Sequence, residues 1–159
     1  MSDNPLQALT LRVLALEARV AGMVRRGPVE EVDTAAQTVR LKLGEGADGP
    51  YLSPPIPYAQ HSGALKAHIP PRKGQSMVIL SESGDFKQGV AMPSSWSDAD
   101  KSPGDTAETN VITFGGFTIG FAGDVLVISG PKVRLECGGS TFDLSGDGLR
   151  MSAPDYQFD

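Results

Sequence analysis

The hydrophobic pattern opens with a heptad. In residues 5–26, PLQALTLRVLALEARVAGMVRR, the apolar positions Leu6, Leu9, Val13, Leu16, Val20 and Met23 follow one another at intervals of three, four, three, four and three. That is the a/d seam of a helix that meets another helix. Pro5 suits the first helical turn, Asn4 the cap before it, and Arg25, Arg26 and Gly27 the end. Arg12 and Glu17 fall at g and the following e, where charges pair between helices. The same spacing also fits an amphipathic helix lying on its own domain, so periodicity leaves both arrangements open.

From residue 28 the period changes to two. TVRLKLG places Val39, Leu41 and Leu43 on one face and Thr38, Arg40 and Lys42 on the other, and SMVILSESGDFKQGVAM gives an apolar strand, a Ser-Gly-Asp turn and a return strand. Between them, Gly44 to Gly74 is a Pro-rich excursion containing Pro50, Pro54, Pro55, Pro57, Pro70 and Pro71. Residues 28–93 therefore predict a small β-barrel with one elaborated loop. Residues 94–109, SSWSDADKSPGDTAET, are small, polar and acidic, as in a linker. The predicted order is an N-terminal helix (1–27), a barrel (28–93), a linker (94–109) and a β tail (110–159).

In the tail, glycines punctuate the short runs VITF, VLVI, KVRLEC, STFDL and LRMS. In KVRLEC, Val133, Leu135 and Cys137 face one way and Lys132, Arg134 and Glu136 the other. Val133, Leu135, Phe142, Leu144, Leu149 and Met151 form the candidate inward row, with Lys132, Arg134, Glu136, Asp143 and Arg150 outward. A sheet this small cannot offset its ordering cost, roughly 1–2 kcal/mol per residue, and it leaves open edges. Either it lies on the first domain or copies of it wrap one another. The acidic linker and the heptads favour copies, and a cyclic trimer intertwined as a β-prism pairs every face and edge by symmetry.

Composition supports a mainly β fold, because 19 Gly and 12 Pro among 159 residues leave little room for long elements. The net charge of −5 is uneven: residues 1–97 carry ten Lys/Arg and nine Asp/Glu, residues 98–159 four and ten. An acidic second half repels a phosphate backbone and predicts an acidic tail exterior, so nucleic acid is not an expected partner. The barrel region adds only Tyr51, Tyr58 and Phe86 as stacking aromatics. One cysteine, Cys137, cannot form an internal disulfide. Arg12, Glu17 and Arg19 interrupt the N-terminal apolar segment as no signal or membrane helix would tolerate, so assembly in a cytoplasm is expected.

Catalytic patterns are weak. His61 and His68 stand in the Pro-rich loop without a nearby Cys and suit a surface better than zinc. No Gly-x-Ser-x-Gly elbow is present. GGFTIGFAGD has phosphate-loop glycines but leads into the strand VLVISG rather than a helix, so its glycines suit tight turns. The chain is expected not to be an enzyme and to need no cofactor.

The order of parts resembles the phage baseplate assembly protein V family, the central spike of contractile tails, and is similar also to type VI secretion spike proteins. The matching stretches are RRGPVEEVDTAAQTVRLKL, IPPRKGQSMVILSESGDFKQGVAM and the Gly-punctuated tail. The resemblance implies an oligonucleotide/oligosaccharide-binding (OB) type barrel followed by a trimeric β-helix that forms a needle. It also implies a homotrimer that meets a baseplate hub or tail tube protein and pierces the host outer membrane from the virion. Some such spikes carry a lysozyme domain between barrel and needle, for which the short linker here has no room.

Many phage members hold an iron ion at the needle tip through a His-x-His pair near the C-terminus, and this chain departs from that pattern by ending in APDYQFD. The resemblance therefore carries over no tip metal. Tyr156 and Phe158 are the candidate tip residues, with a separate small tip-capping protein as the favoured alternative closure. A reading from another class is an OB-fold binding module for a peptide, glycan or nucleic-acid strand, with a flexible acidic tail.

Overall fold

The computed structural model describes residues 4–155. It is mainly β, with one N-terminal helix followed by antiparallel sheets, and it separates into two units between Lys101 and Ser102. The break lies inside the segment that the sequence suggests as a linker. Residues 94–101 belong to the first unit, where Arg72 pairs with Asp100 and the Ser94 amide donates to the Ser76 carbonyl at 3.1 Å. Tyr156 and Phe158, the candidate tip residues, lie outside the described residues.

Helix α1 spans Pro5–Met23. Asn4 caps it, its side-chain oxygen accepting the Leu6 amide at 3.1 Å, and Pro5 occupies the first turn where no amide donor is needed. The helix stops at Met23 rather than at Gly27. Arg25, Arg26 and Gly27 are already in strand β1 (Val24–Asp33), paired with Ile79, Val78 and Met77 of β5 (Ser76–Leu80). Gly27 is small because the backbone of β2 (Thr38–Gly46) passes against it: a Cβ there would collide with the Lys42 carbonyl oxygen. Its role is close approach, not helix termination.

The first unit's strands run in the order β3-β2-β1-β5-β6, with β3 at Gly49–Leu52 and β6 at Val90–Pro93, while β4 (Ile56–Pro57) also pairs with β2. The apolar face of this sheet buries Val29, Val39, Leu41, Ile56, Tyr58, Met77, Ile79 and Ala91. Val39 and Leu41 are fully inside while Leu43, further along the same face, packs against the rim. No continuous barrel closes among the described residues, because β4 is only two residues long. Pro54, Pro55 and Pro57 have no amide to donate, so a longer ladder cannot form there. A single parallel bridge, Tyr58 with Ala91, links the end of β4 to β6, and the Ala59 amide donates to the Ala91 carbonyl at 2.8 Å.

Among the described residues, the second unit forms no β-helix within the single chain. It consists of two three-stranded antiparallel meanders, β7 (Asn110–Phe114), β8 (Phe117–Ala122) and β9 (Val125–Ser129), then β10 (Lys132–Cys137), β11 (Ser140–Ser145) and β12 (Gly148–Ser152). Two-residue turns join the strands. Gly138 and Gly139 both have positive φ, 54° and 89°, as a type I′ hairpin turn demands, a conformation that few other residues adopt.

The meanders repeat each other. Gly115-Gly116 recurs as Gly138-Gly139 and Gly123-Asp124 as Gly146-Asp147, each pair 23 positions on. Composition and strand pattern alone hide this period, since few residues besides the turns are identical.

Candidate interaction surfaces

The register of the second meander places the six candidate inward residues on one face. Leu135 pairs with Phe142 and Phe142 with Met151, while Val133 pairs with Leu144 and Leu144 with Leu149. Two apolar cross-strand rows result, and the large side chains in them are exposed in the single chain, Leu135 at 60%. Cys137 lies on the same face, opposite Ser140, and its thiol is exposed and free. Cross-strand neighbours of this kind stabilise a sheet, but a face so apolar needs cover that the meander does not itself supply.

The opposite face carries a charged row. Arg134 is opposite Asp143, and Asp143 opposite Arg150. The Arg134 guanidinium donates twice to the Asp143 carboxylate, at 2.6 and 2.7 Å, and Lys132 Nζ stands 3.6 Å from the same group. The Arg134 hydrogen bonds, against some desolvation and with further help from the charges of Arg134 and Lys132, hold the Asp143 carboxyl down to about 2. Arg134 is correspondingly raised by Asp143.

The acidic excess expected of the tail exterior does not lie on this face. Lys132, Arg134 and Arg150 outnumber Glu136 and Asp143 on that face. The acidic excess comes from residues 98–108, from Asp124 and Asp147 in hairpin turns, and from the C-terminal residues that follow β12.

On α1, the seam residues Leu6, Leu9, Val13, Leu16, Val20 and Met23 are all exposed. Arg12, Glu17 and Arg19 make no salt bridge within the chain among the described residues. Leu11 and Leu14, on the side away from the seam, are exposed as well. The b, c and f positions, which a free coiled coil gives to solvent, are Gln7, Ala8, Leu11, Leu14, Ala15, Ala18, Ala21 and Gly22, with no charge among them. Heptad counting singled out the seam and missed this second apolar side; the absence of charge at b, c and f was the available signal.

The C-terminal end of the helix is tied to the rest of the first unit. Gly22 is buried against Gly84, where a Cβ on either glycine would collide with backbone, Gly22 with the Gly84 carbonyl and Gly84 with the Arg19 carbonyl. The Ser81 amide donates to the Met23 carbonyl at 2.9 Å.

His61 and His68 sit in the loop between β4 and β5. The Gln60 side-chain amide pins that loop by donating to the Ile69 carbonyl at 2.8 Å and accepting its amide at 3.0 Å. Among the described residues, no group of three or more His, Cys, Asp or Glu side chains is placed to hold a metal ion. No helix among them is long and apolar enough to cross a membrane. No protein-family model and no curated protein sequence matches this chain.

Proposed function

We propose that this protein is the central spike of a contractile injection apparatus, a homotrimer that acts mechanically and not as an enzyme. The observation that carries this is the inner face of the second meander: six apolar residues in two cross-strand rows, most of them exposed, on a sheet whose other face is charged. Three copies bring three such faces to one axis. Each large side chain buried there contributes about 1.5–3 kcal/mol, and the charged row faces outward into water.

The geometry favours a β-prism, in which each copy contributes whole meanders as the walls. A trimer with its edges paired and its core dry resists unravelling when sheath contraction drives it through the outer membrane of a host. The exterior, with both signs of charge, passes along a tube or membrane without adhering through one field.

The first unit serves as the platform that seats the spike in a baseplate. Support for an OB-type barrel comes from its strand order: β1 lies between β2 and β5, β6 pairs with β5, and the parallel bridge at Tyr58 and Ala91 is where such a ring returns on itself. Helix α1, apolar on both sides, meets its own copies along the seam and a hub or tail tube protein around it. A small separate protein caps the needle tip, and the assembled protein belongs to the virion baseplate.

Native mass spectrometry and a denaturing gel with and without boiling test this. A three-chain mass that survives detergent until boiled is the expected result. A single-chain mass, with residues 102–159 removed quickly by protease, would overturn it.

A further inference from the structure

We infer that the first unit carries a saccharide site, a cleft in which the exposed indole of Trp96 stacks on the face of a neutral sugar ring while Gln75 and the serines around it meet the hydroxyls. The inference goes beyond the spike proposal and does not depend on it.

The end of the first unit is folded to build this cleft. The Ser94 amide donates to the Ser76 carbonyl at 3.1 Å, continuing the β5–β6 pairing by one step. Further on the chain closes on itself: the Ser97 amide donates to the Asp100 carbonyl and the Asp100 amide to the Ser97 carbonyl, both at 3.0 Å. Asp100 in turn pairs with Arg72, just ahead of β5. Trp96 therefore lies between two pinned points, yet its side chain is 65% exposed. A large aromatic held in place and left bare is a stacking platform.

The cleft beside the indole measures about 410 Å³, the size of a small-ligand site, and its polar walls come from Arg72, Gln75, Ser76, Ser94, Ser95 and Asp100. Gln75 is half-buried and fixed: its Oε1 accepts the Arg72 amide at 3.1 Å, and its own amide donates to the Arg72 carbonyl at 3.1 Å. Its Nε2 donors have no partner among the described residues, and neither do the hydroxyls of Ser76, Ser94 and Ser95.

Charge selects the class of ligand. Arg72 and Asp100 cancel within one ion pair, so the cleft offers donors and acceptors without a net field. A nucleotide strand would also stack on the indole, but its phosphates would meet Asp100 with Arg72 already engaged. A second hollow of about 320 Å³ shares Gln75 and Pro93 with the first and is more apolar, with Ile69, Pro70 and Met92 in its walls. An extended apolar peptide would run through both hollows and leave the serines and Gln75 unmatched beneath it, which is costly. A pyranose has both surfaces that the first cleft matches, C–H groups on its face and hydroxyls around its rim.

The test uses the full chain. Trp96 is the sole tryptophan, so its emission reads the cleft directly. Titration with chitohexaose, cellohexaose and maltohexaose should give, for at least one of them, a saturable change in emission and protection from iodide quenching. By titration calorimetry, Trp96→Ala should weaken binding of that sugar by about tenfold or more, and Trp96→Phe, which keeps a ring, by less. Ile69→Ser, in the second hollow, should bind as the parent does. Both altered side chains are exposed, so circular dichroism melts of the variants should match the parent.

No saturable response to any of the three sugars overturns the inference. So does a response to decaproline or to oligo(dT) with none to the sugars, since the cleft is then a peptide or single-strand site, and so does an Ile69→Ser loss as large as that of Trp96→Ala. An indole that iodide cannot reach in the native protein without sugar would show the cleft covered by another chain, and the inference falls there too. Native mass spectrometry reads the chain number independently of all these results, so the spike proposal and the saccharide site fail separately.

Discussion

Arg134 and Asp143 face each other across β10 and β11, and the guanidinium holds the carboxylate with two hydrogen bonds, Nε to Oδ1 at 2.6 Å and Nη2 to Oδ2 at 2.7 Å. One residue along, Leu135 and Phe142 are paired in the same register on the other face. A charge-assisted bidentate pair is a geometric lock as well as an attraction. It fixes the strand register, and a slip by one residue would turn the whole apolar row outward.

The lock titrates. Asp143 has its carboxyl value lowered from 3.8 to about 2 in the folded chain, chiefly by the Arg134 hydrogen bonds. A depressed value means stability that is complete above 3.8 and is lost as pH falls toward 2. Thermal melts of the trimer followed by circular dichroism should show a decline across that window that is smaller in Asp143→Asn. An identical acid response in the variant would mean that the pair does not support the fold.

Leu135→Asp attacks the opposite face. Losing a buried Leu costs about 2–5 kcal/mol, and in a trimer three carboxylates would also converge in an apolar core. The expected outcome is loss of the trimer band in unboiled detergent, whereas Glu136→Gln, pointing outward, should stay within about 0.5 kcal/mol of the parent. An unaltered trimer in Leu135→Asp would remove the second meander from the interface.

The parts legible in the sequence were those written in a period. Alternation in KVRLEC and the heptads of PLQALTLRVLALEARVAGM fix which residues share a face, and the strand register and helix bear out that geometry. Features set by close approach of distant backbone were not legible. Arg25-Arg26-Gly27 has the composition of a helix end, yet Gly27 is required by the passing carbonyl of Lys42. The 23-residue repeat was hidden because Val111, Gly120 and Val127 share no chemistry with Arg134, Asp143 and Arg150, which stand 23 positions on. The turn pairs, the identities Thr118/Thr141, Leu126/Leu149 and Ser129/Ser152, and most inner apolar positions carry it, and those become comparable once the cross-strand pairs are known.

Cys137 provides a probe that needs no mutation. Its thiol is exposed in the single chain and sits on the face with Leu135. In a trimer closed by that face, a thiol reagent such as Ellman's should react at least tenfold more slowly with the native protein than after boiling in detergent. Equal rates would leave the face open and contradict closure by copies.

The last prediction concerns how α1 is aimed. Gly22 and Gly84 bring two backbones together closer than any Cβ allows, and Gly84 also has φ +76°, which other residues adopt only with strain. Gly84→Ala therefore incurs both collision and strain, Gly22→Ala collision alone, and Gly63→Ala neither, since Gly63 has open space around it and no positive φ. Overpacking of this type costs about 1–3 kcal/mol. Urea unfolding monitored by Trp96 emission should rank the losses Gly84→Ala, then Gly22→Ala, with Gly63→Ala close to the parent. Limited proteolysis should cut within α1 sooner in the first two, because this contact holds the end of the helix to the rest of the first unit. If Gly22→Ala unfolds and is cleaved like Gly63→Ala, the glycine contact does not anchor the helix, and its direction must come from the copies it meets along the seam.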